Sequence, residues 1–106
     1  MQIQIHFHDI ERTEAIDSHI EGAMSHLTKF ADPDNAHVYL AVVGKKQSFQ
    51  CKIEFHANRK DYTSTELSDD MYKSIDLAVH KLEMQLRKDH DLRVSQRRHN
   101  GSIKSA

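Results

Sequence analysis

Met1 to His8 alternates strictly. Ile3, Ile5 and Phe7 point one way and Gln2, Gln4, His6 and His8 the other, which predicts a strand with one buried face. From Thr13 the period changes. Thr13 is a candidate N-cap, Glu14 and Asp17 occupy the first turn, and Ile16, Ile20, Ala23, Leu27 and Phe30 fall at helical spacing, predicting a helix to about Phe30. Gly22 within it costs about 1 kcal/mol relative to alanine. Ala31 to Asn35 holds the single proline, Pro33, between two aspartates and reads as a loop. Three β-prone runs follow: His37 to Val43, with Val38, Leu40 and Val42 on one face; Phe49 to Ala57; and the shorter Tyr62 to Glu66. In the second of these Phe49, Cys51, Ile53, Phe55 and Ala57 alternate with Gln50, Lys52, Glu54 and His56. The connections Gly44 to Ser48 and Asn58 to Asp61 are polar, as hairpin turns require.

Asp69 to His90 reads as one long amphipathic helix. Met71, Ile75, Ala78, Val79, Leu82 and Leu86 share one arc, and Lys73, His80, Lys81, Met84, Arg87 and Lys88 share the opposite one. Ser68 is the candidate N-cap. Glu66, Asp69 and Asp70 suit the positive pole of the helix dipole, and Arg87 and Lys88 suit the negative pole. Most charged helix faces are simply solvated, so the basic arc does not by itself make a binding surface. Beyond about Asp91 the periodicity lapses, and residues 93–106, with Arg93, Arg97, Arg98 and Lys104, are expected to form a flexible basic tail.

The order strand, helix, three strands, helix predicts an α+β domain over residues 1–92. Strands flanking a helix pair in parallel if adjacent, the last three strands form an antiparallel meander, and both helices cover one face of a four-stranded sheet. The other face, with His6, His8, Lys52, Glu54 and His56, is left to water.

Composition narrows the chemistry. The 106 residues suit one core, no apolar run approaches a membrane span, and no charged-then-apolar leader is visible. The single cysteine, Cys51, cannot close an internal disulfide, which points to a reducing, cytoplasmic setting, and its alternation with core residues makes it a buried hydrophobe. The formal net charge of −1 is unevenly spread: residues 1–34 carry −5, residues 35–60 carry +4, and the stretch from Arg87 onward again carries +4. Nine histidines add positive charge as pH falls. The three glycines are isolated, so no phosphate-cradling loop is present, and no carboxylate or cysteine pattern points to an enzyme. His6 and His8, with His56 nearby on the sheet, are a conceivable metal grip, though the polar side of a strand explains them more simply. Tyr39, Tyr62 and Tyr72 are candidates for base stacking, Tyr72 being better placed to pack on a strand.

Asp70-Met71-Tyr72-Lys73-Ser74-Ile75-Asp76, followed by Lys81-Leu82 and Gln85-Leu86, resembles the second-helix signature of the ribosome hibernation promoting factors. That family includes ribosome-associated inhibitor A and proteins once called sigma-54 modulation proteins. Thr13-Glu14-Ala15-Ile16 and Ile53 to Asn58 look alike too, and the likeness covers about residues 1–93, the length of a short-type member. It implies a fold like that of double-stranded-RNA-binding domains and no catalysis. It also implies binding to small-subunit ribosomal RNA near the decoding region, where the protein blocks messenger and transfer RNA in stationary phase. Lys81 and Lys88 match basic family positions; Arg87, Arg93, Lys29, Lys73 and His80 extend the implied rRNA-binding set. Ala23, His26, Met84 and His90 stand where the family commonly carries Lys or Arg, so His26, His80 and His90 are expected to strengthen RNA binding on acidification. No cofactor, membrane or small-molecule substrate is implied, and the free protein is expected to be monomeric. A general RNA-binding or protein-interaction module on the same scaffold is the alternative.

Overall fold

The computed structural model describes residues 2–31, 33–45 and 48–105, with side chains described for these except 33 and 93–105. The elements are β1 (Gln2–His8), α1 (Glu14–Ser25), a 3-10 turn (His26–Lys29), β2 (Pro33–Val43), β3 (Ser48–Ala57), β4 (Lys60–Ser68) and α2 (Met71–Ser105). The strands lie in the order β1-β2-β3-β4. β1 and β2 are parallel, while β2–β3 and β3–β4 are antiparallel. This is the predicted β-α-β-β-β-α architecture.

The alternation in the strands sorts the two faces as expected. Ala36, Val38, Leu40, Cys51, Ile53, Phe55, Ala57 and Tyr62 turn inward and are buried. From the helices, Ile16, Ile20, Met24, Leu27, Ile75, Ala78, Leu82 and Leu86 meet them in one core. Fully burying each large aliphatic side chain contributes about 1.5–3 kcal/mol, so this layer is the main source of stability.

Several boundaries differ from those read in the sequence. Thr13 caps α1, its Oγ1 accepting from the Ile16 amide at 3.2 Å. However, α1 ends at Ser25 and tightens into the 3-10 turn instead of running on to Phe30. Pro33 lies within β2 rather than in a loop. It is the first residue of the strand, with a register irregularity beside it, where a missing N–H does least harm. The β3–β4 connection is shorter than predicted: Ala57 pairs with Lys60, and Asn58 and Arg59 take φ of 56° and 61°. Two consecutive positive φ values define a two-residue type I′ hairpin, whose twist matches that of the strands.

Asp70, not Ser68, caps α2. Its Oδ1 accepts from the Tyr72 amide at 3.0 Å and its carbonyl from the Ser74 amide at 3.0 Å. The Ser68 hydroxyl instead holds the cap residue, accepting from the Asp70 amide at 3.2 Å. The assigned helix continues through Ser105, past the end near Asp91 that the loss of periodicity predicts. The side chains of the expected basic tail, Arg93 among them, lie outside the described residues.

Candidate nucleic-acid interface

α2 sets its apolar arc on β3, β4 and α1 and turns the opposite arc to solvent. Lys73, His80, Lys81, Arg87 and Lys88 all stand on that outer surface, as helical spacing requires. They do not form an uninterrupted cationic ridge, because most have acidic neighbours. Lys73 Nζ lies 4.0 Å from the Asp69 carboxylate and His80 Nδ1 3.9 Å from that of Glu83. Lys81 is ion-paired to Glu66 of β4. The Arg87 guanidinium is 3.5 Å from Glu83 and sits 5.3 Å over the Phe30 ring.

The set therefore divides. His80 lines the groove beside α1, Arg87 lies over Phe30 just past the 3-10 turn, and Lys81 pairs with β4. Lys88 borders a shallow depression with Met84, Arg87, Asp91 and Leu92. Among the described residues, Lys88 of α2 and Lys29 at the end of the 3-10 turn have no carboxylate within ion-pair distance. Met84 is 57% exposed and presents a thioether to solvent where the resemblance implies a cation.

A groove of about 700 Å³ runs between α1 and α2, lined by His19, Gly22, Ala23, His26, Asp76, Val79, His80 and Glu83 among others. Gly22 and Ala23 keep its floor low, since neither carries a long side chain. His19 Nε2 meets Asp76 Oδ1 at 2.7 Å across it, and Tyr72 packs edge-on against His19 with centroids 5.1 Å apart. Sequence reasoning missed His19 because its role comes from the crossing of two helices 57 residues apart in the chain.

The suggested metal grip does not assemble. His8 pairs with Asp9 at 3.4 Å, and His56 lies against Asp61 at 2.6 Å on the far strands. His6 Nε2 instead meets His37 Nδ1 at 3.2 Å and stacks on Tyr39 with centroids 4.6 Å apart. One ring nitrogen of the His6–His37 pair must carry the proton it shares with the other. No group of three or more metal-ligating side chains gathers among the described residues. Of the three tyrosines Tyr72 is the exposed one, packed edge-on against His19 of α1 and not on a strand as expected, and the other two are not open platforms. Tyr62 is buried, with its hydroxyl on Asp89 at 2.6 Å, and Tyr39 donates to Glu54 at 3.4 Å. Loss of solvent, followed by the Glu54 charge, holds the Tyr39 phenol above its ordinary pKa. Cys51 is fully buried, which pushes its thiol up to about 12 and leaves it inert as a nucleophile.

What this surface presents to a partner is a row of exposed cations along α2, interrupted by carboxylates. Comparison with known proteins bears on what that partner is. Residues 3–93 match the family described as sigma 54 modulation protein / S30EA ribosomal protein. The chain is similar to the ribosome hibernation promotion factor of Bacillus subtilis (strain 168), with 34% identity over 110 residues, 98% of this chain and 56% of that protein. It thus spans little more than half the length of that relative. It is also similar to the ribosome hibernation promoting factor of Klebsiella oxytoca, with 31% identity over 91 residues, 86% of this chain and 95% of the relative. Among solved structures, the N-terminal domain of Thermus thermophilus Protein Y superposes with a TM-score of 0.76 at 27% identity, covering 83% of this chain and 98% of that one. A ribosomal subunit interface protein from Coxiella burnetii superposes with a TM-score of 0.70 at 26% identity, covering 83% and 96%. No described helix is long and apolar enough to cross a membrane.

Proposed function

Because the chain belongs to the sigma 54 modulation protein / S30EA ribosomal protein family, we propose that it is a ribosome-associated hibernation factor. In this reading it binds small-subunit ribosomal RNA near the decoding region and silences idle ribosomes by occupying the path of messenger and transfer RNA. It acts in the cytoplasm and performs no catalysis; occupancy alone inhibits. The observation that carries the reading is the match of family and fold over nearly the whole folded chain, with α2 turning its basic arc to solvent. Lys29, Lys73, His80, Lys81, Arg87, Lys88 and Arg93 form the proposed contact set. Lys29 and Lys88 lead it, since a phosphate need not displace a carboxylate to reach them.

A second reading has specific support. The carboxylates beside Lys73, Lys81 and Arg87 lower the positive potential of the surface, which favours a general RNA-binding or protein-interaction module that does not seek the decoding region. Competition separates the two. If the first reading holds, initiator transfer RNA and this protein displace one another from small subunits. If both bind together without mutual loss, the decoding-region assignment fails.

A further inference from the structure

The sheet has two outer strands, and they are finished differently. β4 carries Lys60, Asp61 and Glu66. It is also engaged by α2: the Gln85 amide donates to the Thr63 carbonyl at 3.1 Å and the Ser64 hydroxyl to the Ala78 carbonyl at 2.7 Å. Charge and side-chain cover are ordinary means of keeping an edge strand from pairing with another chain.

β1 carries no such device in its own sequence; from beyond it, the Arg12 guanidinium sits 5.8 Å over the Phe7 ring near its end. Gln2 to His8 contains no proline, no glycine and no Lys, Arg, Asp or Glu. Its register against β2 is unbroken from Gln2↔Asn35 to His8↔Ala41, so no bulge twists it away. Among the described residues, no side chain bonds to its backbone. Ile3, Ile5 and Phe7 pack against the core yet stay only partly buried, because β1 ends the sheet.

We propose that β1 is a self-association edge. Two copies pair antiparallel through it about a two-fold axis at Ile5, giving one continuous sheet with all four helices on the same side. The alternation is self-complementary about that axis. Ile5 faces the partner's Ile5, and Ile3 faces the partner's Phe7. On the opposite face Gln4 meets the partner's His6 and Gln2 the partner's His8. Apolar groups thus meet apolar groups, polar meet polar, and no like charges are opposed at neutral pH. A second copy supplies this pattern without any further requirement. A seven-residue ladder is smaller than a standard interface of about 1,600 Å², so the dimer is weak and reversible. The proposal thus differs from the monomer expected from the sequence, and the mass measurement decides between them.

Sedimentation equilibrium of the full chain tests it. The weight-average mass should rise from 12.3 kDa toward twice that value as concentration increases. Gln4→Lys, at an exposed position, sets two like charges diagonally across the axis and should weaken association at least about tenfold without touching the core. Ile5→Lys should do the same, and circular dichroism reports whether it folds. Thr65→Lys on β4 should leave association unchanged. Four outcomes would overturn the proposal. The wild type could stay at one chain mass at every concentration, as it would if β1 takes a strand from another protein. Gln4→Lys could associate as tightly as the wild type. Thr65→Lys could abolish the dimer. A folded Ile5→Lys could associate unchanged.

Discussion

The Tyr62 hydroxyl donates to Asp89 Oδ2 at 2.6 Å, and Lys60 Nζ reaches the same oxygen at 2.8 Å. Two residues of β4 thus hold one carboxylate of α2, beyond the last core leucine of the helix, Leu86. Tyr62→Phe keeps the ring packing and removes one bond to a charged acceptor. It should cost about 1–3 kcal/mol, read as a lower urea midpoint with an unchanged slope.

The β3–β4 turn stores a small strain. Arg59 sits at φ 61°, where a Cβ is crowded, and follows Asn58, which tolerates such a backbone better. Arg59→Gly should stabilise the protein by about 0.5–1 kcal/mol. A thermal scan showing no rise in Tm would refute the turn assignment.

The Cys51 thiol is raised by burial from its ordinary 9.0 to about 12. The folded chain therefore holds this proton more tightly than the unfolded chain. That contribution is fully present below pH 9 and is lost as pH climbs from 9 to about 12. Cys51→Ala should flatten the decline of stability across that window relative to the wild type, whatever its effect near neutrality. In the native wild type at pH 8, a thiol-reactive dye should label Cys51 only after unfolding.

On the proposed interface, the ion pairs rank the lysines. Lys29→Glu/Lys88→Glu should lower affinity for small ribosomal subunits by about tenfold or more and reduce the salt slope by about one for each phosphate left without its lysine. Lys81→Met should cost less, since Glu66 already claims that ammonium. Co-sedimentation at several salt concentrations measures both. Equal losses from Lys81→Met and the double variant would remove this ordering.

The sheet is legible in the sequence because alternation is local. Ile3-Ile5-Phe7 and Cys51-Ile53-Phe55 each announce a buried face without knowledge of any other strand. The helix faces are legible for the same reason. What depends on distant partners is not. Nothing near Lys81 in sequence marks Glu66 as its neighbour, and nothing near Arg87 marks the Phe30 ring. Those contacts fix how much of the basic arc is available to a ligand. Ser68 reads as the cap because its hydroxyl can accept from an unpaired backbone N–H, yet Asp70 does the capping and Ser68 supports it. Pro33 reads as a breaker in isolation, but at the first position of a strand it loses no needed hydrogen bond.

The meander and the crossover also differ in how they come undone. β2, β3 and β4 are joined by short turns and pair in sequence, whereas β1 reaches β2 only after the chain has passed through α1. In dilute solution β1 has a neighbour on one side alone. Local opening should therefore begin there: amide protons of Ile3 to Phe7 should exchange with deuterium before those of Cys51 to Phe55, which lie in the middle of the meander. The strand that joins the sheet across the longest connection is thus the first to fray, and the time its amides take to exchange is a direct gauge of whether a second strand has closed over them.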